Sequence, residues 1–286
     1  MSADTSKPNI IQLKNHVNHE IRLFQLTDIP GALELCRTSG WNQLAPDWER
    51  LIEHEPTACF VINDHEKIIG TVTTTCYGTQ LAWIGMMLVH EEYRRQGIAK
   101  ALIKTCLDHL HSRKISCIKL DATPTGKLVY NQLGFRDEWS FHRWQREGDD
   151  CSTVVVPESD TGWNLDLDEV AFGVSRGQWL NRLANHSRVI RYREGCGMVR
   201  EGYLASYVGP VIASSPETAR HIIDNLLGST NRTTFWDIPH PNHNAIALAQ
   251  NYGFQPVRTL TRMWTGPELI RCDLDLQYAI SDPGTG

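Results

Sequence analysis

The chain has no C-x-x-C pair: its eight cysteines, Cys36, Cys59, Cys76, Cys106, Cys117, Cys151, Cys196 and Cys272, stand singly. That excludes the usual spacing of a zinc site, and no metal is expected. Cysteines inside apolar runs, such as Cys59 in residues 58–62, read as small buried hydrophobes in a reducing compartment. No apolar run approaches the ~20 residues of a membrane-crossing helix. Residues 1–9 are polar where a secretion signal needs an apolar core. An excess of positive charge is also missing, since 28 Lys and Arg against 33 Asp and Glu give a net charge of -5. The broad basic face that nucleic-acid binding requires is therefore not expected. These absences point to a cytoplasmic protein without nucleic-acid or membrane partners, and they leave the oligomeric state open.

What is present suits a globular protein. The 286 residues are 41% hydrophobic and 21% charged, enough for two ordinary domains with real cores. Residues 1–19 read as a loosely attached arm. Alternation then predicts a strand at 21–26, helical spacing predicts helices around 32–36 and 47–54, and a loop at 40–43 joins them. Strands follow at 58–63 and 67–77, joined by a polar turn, then at 81–89, apolar almost throughout like a strand covered on both faces. In the helix predicted at 98–111, Ile98, Leu102, Cys106 and Leu110 form one apolar row and Ala99, Ile103 and Leu107 its neighbour. A strand at 115–120, a short helix at 125–132 ended by Gly134, and a strand at 135–145 complete a mixed α/β layer of order β-α-α-β-β-β-α-β-α-β.

Residues 147–161 read as a linker, after which the pattern partly recurs. Strands are predicted at 189–193, 197–200 and 203–213, then a helix capped from Ser214 to Glu217 and ended by Gly228. A strand at 233–238, a helix at 242–251 and a strand at 255–264 follow. Tyr130-Asn131-Gln132-Leu133-Gly134-Phe135 and Ala249-Gln250-Asn251-Tyr252-Gly253-Phe254 end corresponding helices, and each precedes a strand ending near a tryptophan, Trp144 or Trp264. Two related domains in tandem account for this, with expected limits of 20–146 and 163–270.

Arg94-Arg95-Gln96-Gly97-Ile98-Ala99-Lys100 joins a buried strand to an amphipathic helix. A helix start presents unpaired N–H groups and the positive end of its dipole, Gly97 and Ala99 keep the approach open, and the two arginines add charge. The segment reads equally as a pyrophosphate grip or as a solvated basic turn. Its context resolves this: Arg94, Gly97 and Ala99, behind a strand and before a helix, resemble the acetyl-CoA loop of the GNAT superfamily of N-acetyltransferases, and Tyr130 falls in a Tyr-x-x-x-Gly-Phe motif similar to theirs. Gly209-Pro210 and Arg262-Met263-Trp264 resemble marks of two-domain members.

The resemblance implies tandem GNAT-like folds, acetyl-CoA as co-substrate, and acetyl transfer to a primary amine of a small molecule. It implies that Met87, Leu88 and Val89 bind the pantetheine arm through their backbone, with the Leu88 N–H as oxyanion donor, and that Tyr130 protonates the leaving thiolate. No base is assigned, because 81–89 contains neither carboxylate nor histidine. Trp41, Asn42 and Gln43 are the candidate acceptor contacts, with Asp121 and Thr123 near them. The second half keeps Asn242 and Ala245 of a family pattern but has Ala249 in place of Tyr130 and no glycine in 214–220, so it is expected to lack a cofactor site and to shape the cleft. His240 and His243 read as turn and capping residues. Two alternatives stand beside the enzyme of small amines: an acyl-CoA sensor with little turnover, and a protein N-acetyltransferase.

Overall fold

The computed structural model describes residues 9–13, 18–148 and 163–286. The first half runs β1 (Asn9–Gln12), β2 (Asn18–Leu23), α1 (Ile29–Thr38), α2 (Ala45–His54), β3 (Phe60–Asp64), β4 (Lys67–Tyr77), β5 (Leu81–Val89), α3 (Ile98–Ser112), β6 (Cys117–Ala122), α4 (Pro124–Gln132) and β7 (Arg136–Arg146). The second runs α5 (Leu165–Phe172), α6 (Gly177–Ala184), β8 (Ser187–Arg191), β9 (Gly195–Arg200), β10 (Ser206–Ala213), α7 (Pro216–Leu227), β11 (Thr234–Pro239), α8 (His243–Asn251), β12 (Gln255–Thr265) and β13 (Gln277–Ala279). Most of the expected linker lies outside the described residues, as does Cys151. Among the described residues no helix is long and apolar enough to cross a membrane.

The arm expected at residues 1–19 is corrected in part. Asn9–Gln12 pairs antiparallel with Asn18–Ile21 as an edge strand. Its side chains are mostly exposed, so apolar alternation gave no sign of it.

The central strand β5 is covered on both faces, as its composition predicts. Ala82 and Ile84 join the core under α3, built on Ile98, Leu102, Ile103, Cys106, Leu107 and Leu110. Leu81, Trp83, Met86 and Leu88 join the opposite core under α1 and α2. At roughly 1.5–3 kcal/mol per fully buried aliphatic side chain, the α3 row outweighs a surface pair such as Lys104–Asp108, worth about 0.3–0.5 kcal/mol.

The strand expected at 135–145 does not complete the sheet of its own half. β6 pairs with β12, β12 with β7, and β7 with β11, so the two halves exchange β7 and β12 within one sheet of 13 strands among the described residues. The repeat seen in the sequence takes matching shapes on either side of this exchange. Phe135 N donates to Tyr130 O and Phe254 N to Ala249 O, with Gly134 at φ +86° and Gly253 at φ +77°. Both phenylalanines are buried. α5, α6 and β13 were not anticipated, although Asn164 before an apolar run and Gly173 after it are ordinary helix signals.

Candidate active site

The site begins with a fault in β5. Leu81 and Trp83 share a face with Met86 and Leu88, so the two-residue alternation slips by one between them. Register against β4 shifts there too, from Thr73↔Gly85 to Thr71↔Leu88. This is a β-bulge: Met86 takes φ +48°, and the Thr71 hydroxyl donates to its carbonyl at 2.8 Å. On the other side β5 pairs with β6 only over Leu81–Trp83. Past Trp83 the strands part, and a cavity of 230 Å³ opens, lined along β5 by Ile84, Gly85, Met86, Met87 and Val89.

Leu88 does not line this cavity, and its expected role is corrected. His90 N donates to Ile69 O on β4. Strand alternation turns the Leu88 N–H to that same side, where Leu88 faces Thr71. The backbone of Met87 and Val89 is left facing the opening, and both residues border the cavity.

Ala99 borders the cavity at the start of α3. Gly97, with φ +87°, is the N-cap, and no side chain caps the helix. A Cβ at Gly97 would meet nothing closer than 3.9 Å, so glycine is required by backbone angle rather than by space. The first turn therefore presents free N–H groups at Ile98, Ala99 and Lys100, the arrangement that suits an anion. The Ile98 side chain itself is in the core. Arg94 is held by a 3.1 Å bond from its Nε to Val89 O, and Gln96 Nε2 donates to Glu92 O at 3.3 Å. Arg94, Arg95 and Lys100 are exposed beside the helix start.

Tyr130 lines the cavity from α4. Its ring lies over Gly126, where a Cβ would stand 3.1 Å from Cε2, and edge-on to Phe135. Burial pushes its phenol up to about 12. Its hydroxyl has no hydrogen-bond partner among the described residues.

Trp41, Asn42 and Gln43 form the opposite wall. Of the three, Asn42 is occupied by the second half of the chain: its Oδ1 accepts from Leu204 N and Ala205 N, and its Nδ2 donates to Ala205 O. It acts as a clasp between the halves while lining the cavity. Gln43 Oε1 is buried with no protein partner. Asp121 and Thr123 also line the cavity. Both Asp121 oxygens accept from Arg262, which lies 4.2 Å from the ring centroids of Trp83 and of Trp139. Burial pushes the Asp121 carboxyl up to about 6 against the pull of that guanidinium.

Sequence reasoning missed the far wall. Arg143, Arg258 and Leu260 enter from the exchanged strands, and Pro283 and Gly284 from the end of the described chain. Segment 281–286 packs between the halves, with Ser281, Thr285 and Gly286 buried: Tyr77 Oη donates to Thr285 O at 2.6 Å, Trp83 Nε1 to Pro283 O at 3.2 Å, and Arg176 Nη1 to Gly286 O at 3.0 Å. Nothing local in its Gly-Pro-Thr composition signals burial.

The second half lacks the open helix start. At the N-terminus of α7 the Ser215 hydroxyl accepts from Thr218 N, Pro216 removes another donor, and Glu217 adds negative charge. Ala249 is fully buried where Tyr130 stands in the first half.

Comparison with known proteins bears on both halves. Residues 36–143 match one family described as an acetyltransferase (GNAT) domain, and residues 165–279 match a second. An uncharacterized N-acetyltransferase of Bacillus subtilis strain 168, YitH, is 25% identical over 225 residues, or 74% of this chain and 79% of its own. An acetyltransferase candidate from Pyrococcus horikoshii is 25% identical and superposes with a TM-score of 0.83, over 94% of this chain and 96% of its own. A tandem GNAT protein from the clavulanic acid biosynthesis pathway superposes with a TM-score of 0.59 at 14% identity, over 88% of this chain and 99% of its own. That last likeness concerns the fold alone.

Proposed function

The chain belongs to the GNAT acetyltransferases as a two-domain member, and from that membership we propose that it moves an acetyl group from acetyl-CoA to a primary amine of a small molecule. The observation that carries this reading is the continuity of the uncapped α3 start, the open edge of β5 and the Tyr130 hydroxyl around one 230 Å³ cavity. The fit to acetyl-CoA rests on two features: free N–H groups and nearby cations for a pyrophosphate, and an unpaired strand edge for an extended amide-bearing arm.

Acetyl-CoA supplies the activated acyl group as a thioester. In this reading Ile98, Ala99 and Lys100 offer backbone N–H groups to its phosphates, and Arg94 and Arg95 add charge. Gln96 and Gly97 shape the turn. Val89 and Met87 offer backbone to the pantetheine arm, and the Met87 N–H replaces that of Leu88 as the donor to the developing oxyanion. Tyr130 keeps its proton throughout the working pH range and holds it for the departing sulfur. Trp41 and Gln43 face the acceptor. The domain spanning about 20–146 holds the cofactor, and that of about 163–270 has no cofactor site of its own but supplies part of the wall. A thiol-release assay with acetyl-CoA against a panel of small amines tests this reading. It predicts amine-dependent release, and release that no amine stimulates would overturn it.

A further inference from the structure

Beside the main cavity lies a smaller one of 40 Å³, and the two share Asn42, Gln43, Met86, Arg143, Pro283 and Gly284. Arg50 on α2 lines the smaller one. It is 6% exposed, donates through Nη2 to Asp47, and lies 5.9 Å from the Trp179 ring centroid. Its Nε and Nη1 are buried without a hydrogen-bond partner. Donors held away from water in this way are costly, and a guanidinium does not relieve the cost by releasing its proton.

The charges around both cavities leave room for one anion. Asp47 is matched by Arg50, Asp282 by Arg200, Glu201 by Arg232 and Asp121 by Arg262. Arg143 is matched by Asp237 behind the wall. Arg258, in the larger cavity, has no ion pair among the described residues. Gln43 Oε1, also unpartnered, stands where the two cavities meet and offers an acceptor to an amine N–H. A site with unfilled donors at one end and an unfilled acceptor nearer the open strand suits a molecule carrying both an anion and an amine. On the scale at which one water needs about 10–15 Å³, the smaller space admits a carboxylate but no larger headgroup.

We propose that the acceptor is an amino acid, or a similar amine bearing a carboxylate, with its carboxylate seated on Arg50 and its amine directed past Gln43 toward the open edge of β5. This rests on the acetyl-transfer reading above and specifies its substrate class.

The test compares amino acids with their decarboxylated counterparts as acceptors for the full chain: L-leucine with isoamylamine, L-phenylalanine with phenethylamine, L-lysine with cadaverine. Thiol release from acetyl-CoA should show kcat/KM at least about 10-fold higher for the carboxylate-bearing member of one or more pairs. Arg50→Lys keeps a positive charge against Asp47 but lacks the Nε and Nη1 donors. It should raise KM for that member roughly 10–100-fold, as expected for hydrogen bonds to a charged group, and collapse the ratio toward one. Decarboxylated members that equal or surpass their partners would overturn the proposal, whether or not the variant folds. So would a ratio unchanged in folded Arg50→Lys. Should no amine release thiol while acetyl-CoA still binds, the acetyl-transfer reading fails by itself. The carboxylate site is then judged by thermal shift with N-acetyl-leucine, N-acetyl-phenylalanine and N-acetyl-lysine. A rise in Tm that Arg50→Lys removes would support it, and the lack of any rise would overturn it.

Discussion

Gly85 and Gly284 meet so closely that a Cβ on Gly85 would stand 2.2 Å from the Gly284 carbonyl oxygen. The contact joins the bulged part of the central strand to a segment about two hundred residues further along; both residues line the larger cavity, and Gly284 lines the smaller one as well. Gly85→Ala should therefore displace segment 281–286, destabilise the protein by about 1–3 kcal/mol as overpacking does, and raise KM for the acceptor. Thermal unfolding and steady-state kinetics check this. An unchanged Tm would contradict the close contact between Gly85 and Gly284.

Tyr130 gives a prediction in pH. Burial raises its phenol to about 12 from an ordinary value near 10, so it remains a proton donor at every practical pH. Turnover should not fall on the alkaline side below about pH 11 through this group. Its linkage to stability has the corresponding sign. Between the two values the native state retains a proton that the unfolded chain releases, so the Tyr130 contribution is present below pH 10 and declines as pH rises beyond it. Tyr130→Phe should lower kcat by one or more orders of magnitude with acetyl-CoA affinity nearly intact. Equal turnover in the variant removes Tyr130 from the chemistry.

Much of this was legible in the sequence. The Ile98, Leu102, Cys106 and Leu110 row announces α3 and the side it buries, and the spacing of Arg94, Gly97 and Ala99 places a candidate phosphate grip at its start. What sequence could not give was neighbourhood. Alternation shows that 136–146 and 255–265 are strands, but not that each pairs across the repeat. Arg50 lies on a helix with Glu49 and Glu53, and nothing local in the sequence marks it as buried. It is buried because Trp179 and Arg200, more than a hundred residues away, close over it. The Leu88 assignment failed for a related reason: a bulge at Met86 changes which residues face the opening, and no side chain announces a bulge.

The strand exchange predicts that neither half folds alone. A fragment ending near Gly148 lacks β12 and leaves an edge of β6 unpaired, while one beginning near Trp163 lacks β7 between β11 and β12. Each fragment should be insoluble or lack a cooperative melting transition, and co-expression of the two should restore both. A monomeric, cooperatively melting fragment would show that the exchanged strands are dispensable.

Calorimetric titration of the intact chain with acetyl-CoA tests the placement of the cofactor most directly. Binding should saturate near one equivalent, because the α3 start is open while that of α7 is filled by Ser215 and Pro216. Gly97→Glu should abolish it, since Gly97 sits at φ +87° and a carboxylate there would stand beside the N–H groups offered to the phosphates. Two equivalents, or undiminished affinity in a folded Gly97→Glu variant, would contradict it.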